Sequence, residues 1–169
     1  MIVSNKELLL NGTDVAFQQF LEDLTIFGTI MRANNTRLAK QIGLTLQQFT
    51  ILVMLARHQG KEGHGVNKIA DMLHISGAYV TIEVGKLVAL GFIHKALHQT
   101  DARRIVLSLT HRAISALDGL DSLMVSTNDT SFESLSTETF ETLRQVVPQM
   151  IKSAKRSVSV IDLIIGSDR

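Results

Sequence analysis

The sequence predicts a mainly α-helical fold with one small β-hairpin. Apolar residues recur at spacings of three, four and seven along most of the 169 residues, the signature of amphipathic helices. The period drops to two only after Gly91, over residues 92–109. Helix caps and breakers stand at the joins: Gly43, Thr45, Ser76, Gly91, Thr110 and Pro148.

Residues 1–13 read as a loose arm. From Asp14, the positions Phe17, Phe20, Leu24, Phe27, Met31, Leu38 and Ile42 trace one long helix that Gly43 ends. Arg32, Asn34 and Asn35 interrupt its apolar face. Thr45, with Gln48 three residues on, forms a capping box and opens a second helix to about Gln59. Gly60, Gly63 and Gly65 make a loop, and a short helix follows over 66–73. His74 sits at a turn that calls for positive φ, which His tolerates better than most residues. Ser76 caps a helix over 77–90, and Gly91 closes it. Residues 92–97 and 103–109 alternate as two strands around a polar turn, 99–102. Thr110 opens another helix to about Ser126, and 126–131 read as a polar loop. A last helix starts near Ser136, where Pro148 should kink it or split it in two.

Composition narrows the function. Hydrophobic residues are 45% of the chain and charged residues 20%, which excludes a disordered chain. The length suits one domain. No apolar run reaches the ~18 residues of a membrane span, and no basic-then-apolar leader opens the chain. The cytosol is therefore the expected compartment, with no membrane partner. With no Cys, disulfides, thiolate metal sites and thiol redox sensing are out. Net charge is +1, but it is unevenly spread: residues 61–112 hold seven Lys/Arg against four acids and five of the six His, whereas 113–150 hold six acids and one Arg. A basic middle beside an acidic segment fits one face turned to a polyanion, or plain segregation on a solvated surface.

Short helix, tight turn, second helix and β-hairpin, in that order, make a winged helix-turn-helix. The major groove of B-DNA, ~12 Å wide, admits one α-helix. A helix N-terminus offers free N–H groups to phosphates. A basic hairpin tip can place an Arg in the minor groove.

At this point the residues resemble a known family. Residues 66–113 are similar to the DNA-binding core of the MarR family, the multiple antibiotic resistance type of bacterial regulators. The matching residues are Ile69-Ala70-Asp71-Met72-Leu73, then Val80-Thr81, Leu87 and Gly91-Phe92-Ile93. Asp101-Ala102-Arg103-Arg104, followed by Leu107-Ser108-Leu109-Thr110, is the most specific stretch. The resemblance implies a mainly α fold in which a winged helix-turn-helix region, 45–113, is flanked by dimerisation helices, 14–44 and 114–169. It implies that Arg103 enters the minor groove, with Arg104 beside it, while Asp101 orients basic side chains of the wing. It also implies that Ser76, Gly77, Thr81, Ile82 and Lys86 face the major groove, with Tyr79 near the backbone. The sequence departs from the pattern at Ile82 and Glu83, where relatives often carry a base or a polar group, and at Thr-His-Arg-Ala, 110–113. Readout then leans on thymine methyls, Thr81 and DNA shape.

The expected function is a sequence-specific DNA-binding transcription regulator: a dimeric repressor on a pseudo-palindromic operator, released by a small aromatic, anionic ligand. The apolar run Val158, Val160, Ile161, Leu163, Ile164 and Ile165 would be an exposed patch on a monomer, and such patches usually mark interfaces. Phe27, Met31, Arg32, Asn35, Phe49 and His58 are the candidate ligand residues, with Arg32 or His58 to pair a carboxylate; plain core packing and a helix–helix ion pair are the alternative. His94, His98 and His111 lack the clustering of a zinc site, so no metal or cofactor is expected. No nucleophile elbow, P-loop or dinucleotide fingerprint is present, so no catalytic residues are assigned. The rival reading is a winged helix that serves protein–protein contact and has no specific DNA target.

Overall fold

The computed structural model describes residues 1–58, 65–97 and 105–167. Two compact units divide the chain, Met1–Thr127 and Asn128–Arg169.

In the first unit, α1 (Val15–Gln41) is followed by α2 (Leu46–Arg57), and the two meet at 87°. Gly43, at φ 71°, makes the corner. The capping box is present: Thr45 Oγ1 accepts from Gln48 N–H, and Gln48 Oε1 accepts from Thr45 N–H. Next come α3 (Val66–Leu73) and α4 (Gly77–Ala89), joined through His74 in the left-handed conformation, φ 53°. The wing is an antiparallel pair, β1 (Ile93–Leu97) and β2 (Ile105–Leu109), registered from Ile93↔Leu109 to Leu97↔Ile105. Its alternation is buried only at the root. Ile93 and Leu107 are core, while Leu97 and Ile105 are exposed.

One hydrophobic core holds these pieces together. It joins Leu38, Ala39 and Leu44 to Phe49, Ile51, Leu52 and Leu55 of α2, Ile69 of α3, and Val80, Val84 and Leu87 of α4. Phe92, Ile93, Leu107, Ala113 and Leu120 complete it. Every core position of α2, α3 and α4 lies on one face of its helix, as the 3.6-residue period requires.

Four expectations need correction. The helix after Thr110 does not run unbroken to Ser126. It ends as α5 (His111–Asp118), and α6 (Asp121–Ser131) follows. Gly119 weakens the helix at the break, and Leu120 turns into the core at 4% exposure. The expected polar loop at 126–131 is helix, the end of α6. Poor helix formers can extend a turn already nucleated, because propagation costs far less than nucleation. Then α7 (Thr137–Ser167) is one helix through Pro148, so the proline does not split it in two. Its apolar spacing, Phe140, Leu143, Val147, Met150, Ile151, Val158, Ile161, Ile165, continues across the proline on one stripe. Ser136 Oγ accepts from Thr139 N–H at 3.1 Å at its start.

The arm 1–13 is not loose. Residues Lys6–Leu8 form a 3₁₀ turn, Leu10 bridges Thr13, and the Ile2 N–H donates to the Asp14 carboxylate. Asp14 stands at the N-cap of α1 but its side chain makes no cap bond; it is spent on the arm. The Ile2 bond, the largest cause, holds the Asp14 carboxyl below its usual pKa of 3.8. A depressed folded pKa means the tie is fully present above the unfolded value and lost as pH falls through the folded one. Acidification through this lowered folded pKa is therefore expected to free residues 1–13, with faster amide exchange in the arm than in α2. Asp14→Asn should show the freed arm already at neutral pH.

Among the described residues no single helix is long and apolar enough to cross a membrane. The bent pair α1 and α2 passes by length and composition together, but α2 spends its apolar side on the core.

Candidate nucleic-acid interface

The α3–turn–α4 corner is built by local rules. The His74 N–H closes α3 on the Ala70 carbonyl, and Ile75 N–H donates to the same oxygen at 3.2 Å. Ser76 then leaves the chain extended, φ −65° and ψ 142°, and its Oγ accepts from Tyr79 N–H at 3.2 Å. That cap satisfies one of the four free N–H groups at the start of α4.

The inward face of α4 is Val80, Glu83, Val84 and Leu87, all buried. The opposite face is exposed and carries the predicted residues. Tyr79 is 43% and Ile82 57% exposed; Ser76, Thr81 and Lys86 are exposed, and Gly77 is half-buried. Thr81 Oγ1 donates to the Gly77 carbonyl at 2.8 Å, which leaves its lone pairs and methyl outward. Gly85, on the same face, has nothing within 4 Å of where a Cβ would stand. Among the described residues no packing requires a glycine there, although one in mid-helix costs about 1 kcal/mol relative to Ala.

Lys86 does not stand alone. Its Nζ donates to Glu83 Oε1 at 2.7 Å. This bond, the largest cause, raises the ammonium pKa above its usual value. Glu83 Oε2 accepts from Gln48 Nε2 at 3.0 Å, which ties α4 to the N-terminus of α2. Sequence reading places Glu83 only as a departure from a pattern and Gln48 only as a cap. The i,i+3 spacing of Glu83 and Lys86 was a visible signal for their pairing. The Gln48 contact spans 35 residues and had none.

The wing root is equally fixed. Gly91, at φ 74°, ends α4, and Phe92 N–H returns to the Leu87 carbonyl at 2.9 Å. Thr110 Oγ1 donates to the Gly91 carbonyl at 2.7 Å and accepts from Ala113 N–H at 3.1 Å. The Arg112 guanidinium stacks over Phe92, 4.9 Å from its centroid. The predicted wing residues Asp101, Arg103 and Arg104 lie outside the described residues, as does His98.

The six ligand candidates divide. Phe49 is buried in the core at 3% exposure. Phe27, Arg32 and His58 are exposed, and Met31 and Asn35 half-buried. A cleft of about 340 Å³ opens elsewhere, between α2, β2, α5 and α6, with Arg57, Asp118 and Asp121 among apolar walls that include Val53, Ile114 and Leu117. None of the six lines it. Among the described residues no three His, Asp or Glu side chains converge on a metal geometry.

The comparisons agree with this architecture. Residues 42–104, from the end of α1 to the wing, match the model of the MarR family. A comparison with curated proteins gives no significant match. Among solved structures, the fold is similar to that of S. aureus MepR in complex with DNA, with TM-score 0.67, 23% identity, and coverage of 79% of this chain and 97% of that one. It is similar to the transcription regulator MarR from Oenococcus oeni PSU-1, with TM-score 0.68, 22% identity, and coverage of 79% and 98%. CouR from Rhodococcus jostii RHA1, solved bound to p-coumaroyl-CoA, aligns at TM-score 0.68 and 16% identity over 75% and 87%. The family is one of transcription regulators, not enzymes. In its helix-turn-helix and two-stranded wing the chain is similar to the MarR family, whose model matches residues 42–104.

Proposed function

We propose that this protein is a sequence-specific, DNA-binding transcription regulator that acts as a dimeric repressor in the cytosol. One observation carries the reading: α4 turns a continuous exposed ridge to solvent, with Tyr79, Thr81, Ile82 and Lys86 on it. In this reading Ser76, Gly77, Tyr79, Thr81 and Ile82 meet the major groove and the Ser76 end of α4 meets phosphate. Arg103 enters the minor groove, with Asp101 and Arg104 shaping the wing tip. MepR, solved with DNA, has the same fold and supports this use of it.

Dimerism is proposed from exposed apolar surface. Val15, Phe20, Leu24 and Ile30 of α1 are each at least 42% exposed, and among the described residues of α7 none is buried. A two-fold dimer would set two α4 helices on half-sites one helical turn, ~34–36 Å, apart. Release by a small aromatic, anionic ligand is the remaining part of the proposal. CouR is solved with p-coumaroyl-CoA, which joins an aromatic acyl group to anionic phosphates, and here Arg32 on the α1 face offers a cation. The carboxylates of Asp118 and Asp121 make the 340 Å³ cleft a poorer place for an anion.

The test is selection of duplexes from a random pool by the full chain, followed by titration at several salt concentrations. An enriched pseudo-palindrome, bound with affinity that falls steeply with salt, is the expected result. Enrichment of nothing would favour the protein-interaction reading. Aromatic acids added to the bound complex should release the DNA, and no release would remove the effector from the proposal.

A further inference from the structure

We propose that Glu83 sets specificity in α4: its buried carboxylate fastens the helix to α2 through Gln48 and holds the Lys86 ammonium away from DNA phosphates. The inference rests on the DNA-binding reading above.

The geometry is closed at every atom. Glu83 has a side chain only 6% exposed, and each of its carboxylate oxygens has a partner: Oε2 the Gln48 amide, Oε1 the Lys86 ammonium. The Gln48 amide cannot turn over. Its Oε1 is held by the Thr45 N–H at 3.1 Å, so its NH₂ end faces Glu83. A carboxylate this buried needs a compensating charge. Among the described residues Lys86 is the cation that reaches it. Swinging Lys86 to a phosphate would leave the acid facing one amide alone.

The consequence is unusual for a helix lying on a polyanion. Ala78, Thr81, Ile82 and Gly85 carry no charge, and Lys86, the cation of α4, is already neutralised. The helix therefore adds little to sequence-blind phosphate attraction. Its contribution comes through fit, from an exposed Ile82 against thymine methyls and from close approach at Gly85. Low non-specific affinity raises the ratio of specific to non-specific binding, the quantity that matters against a genome of competing sites.

The experiment compares wild type, Glu83→Gln, Lys86→Gln and the double variant on a mixed-sequence duplex and on the best duplex selected by wild type. Log affinity is plotted against log salt, and unfolding midpoints are recorded beside it. Glu83→Gln keeps an acceptor for Gln48 but frees Lys86. It should bind mixed sequence more tightly, steepen the salt slope by about 0.9 for each protomer on DNA, and discriminate less. Lys86→Gln in the wild-type background should leave the slope unchanged, and the double variant should return to the wild-type slope. A slope that falls by about 0.9 in Lys86→Gln would put Lys86 on a phosphate in the wild type and overturn the inference. So would an unchanged slope in folded Glu83→Gln. If Glu83→Gln fails to fold, Lys86→Gln alone decides. Wild type binding neither duplex would overturn the DNA reading itself, a different outcome from binding with unmoved slopes.

Discussion

Arg103→Glu is expected to remove DNA binding at moderate salt while leaving the fold intact. Among the described residues, the wing pairing from Ile93↔Leu109 to Leu97↔Ile105 is made without Arg103. An Arg in the minor groove contributes through the groove's negative potential as well as its hydrogen bonds. Losing one such contact costs about 1–3 kcal/mol, and a dimer loses two, a fall of roughly 30-fold to 10⁴-fold before the repulsion of the new carboxylate is added. The check is a titration of operator duplex at fixed salt, with the unfolding midpoint measured on the same preparation. Arg103→Lys should fall between, because it keeps the charge but loses the planar fork. Binding unchanged by Arg103→Glu would sink the wing's role and turn the reading toward a protein-contact winged helix.

Much of the fold that positions this interface was legible because its signals are local. The Thr45–Gln48 box, the Ser76 cap, Gly43 and Gly91 all act within four residues, and each stands in the structure where the sequence placed it. His74 at φ 53° is a case in which side-chain type and backbone agree without help from packing. The failures have a different cause. Ser126-Thr127-Asn128-Asp129-Thr130-Ser131 reads as loop by composition, but a helix already under way absorbs it. Pro148 costs the helix a hydrogen bond and a carbonyl clash but does not split it, and the apolar stripe runs on beyond it. The arm was misread because its anchor, Asp14, looks like a helix cap and instead accepts from Ile2, 12 residues away. Within the interface, the exposed ridge of α4 followed from its period, whereas the Gln48–Glu83 bond needed the packing of α2 on α4. Phe49, a candidate ligand residue, takes the core alternative, packed with Leu52 and Leu55.

Charging the α7 stripe should have the second large effect. Val158, Ile161 and Ile165 stand on one side of α7 and are 58%, 54% and 58% exposed. Burying an aliphatic side chain of this size is worth about 1.5–3 kcal/mol. Six half-exposed chains from two protomers therefore hold several kcal/mol that only a partner can recover. Ile161→Glu with Ile165→Glu places four carboxylates in that two-fold seam, where they lose the apolar gain and repel one another. Light scattering at micromolar concentration is expected to show the dimer mass for wild type and the monomer mass for the variant. Helicity of the first unit should persist, because its core of Ile51, Leu52, Ile69, Val84 and Leu87 contains no residue of α7. Operator affinity should then fall by about 10²–10⁴, since the second half-site is no longer delivered at high local concentration by the first. The two readouts must move together. A variant that becomes monomeric yet binds the operator unchanged would show that one wing and one α4 suffice. A variant that stays dimeric would move the seam from α7 to the exposed face of α1, at Phe20, Leu24 and Ile30.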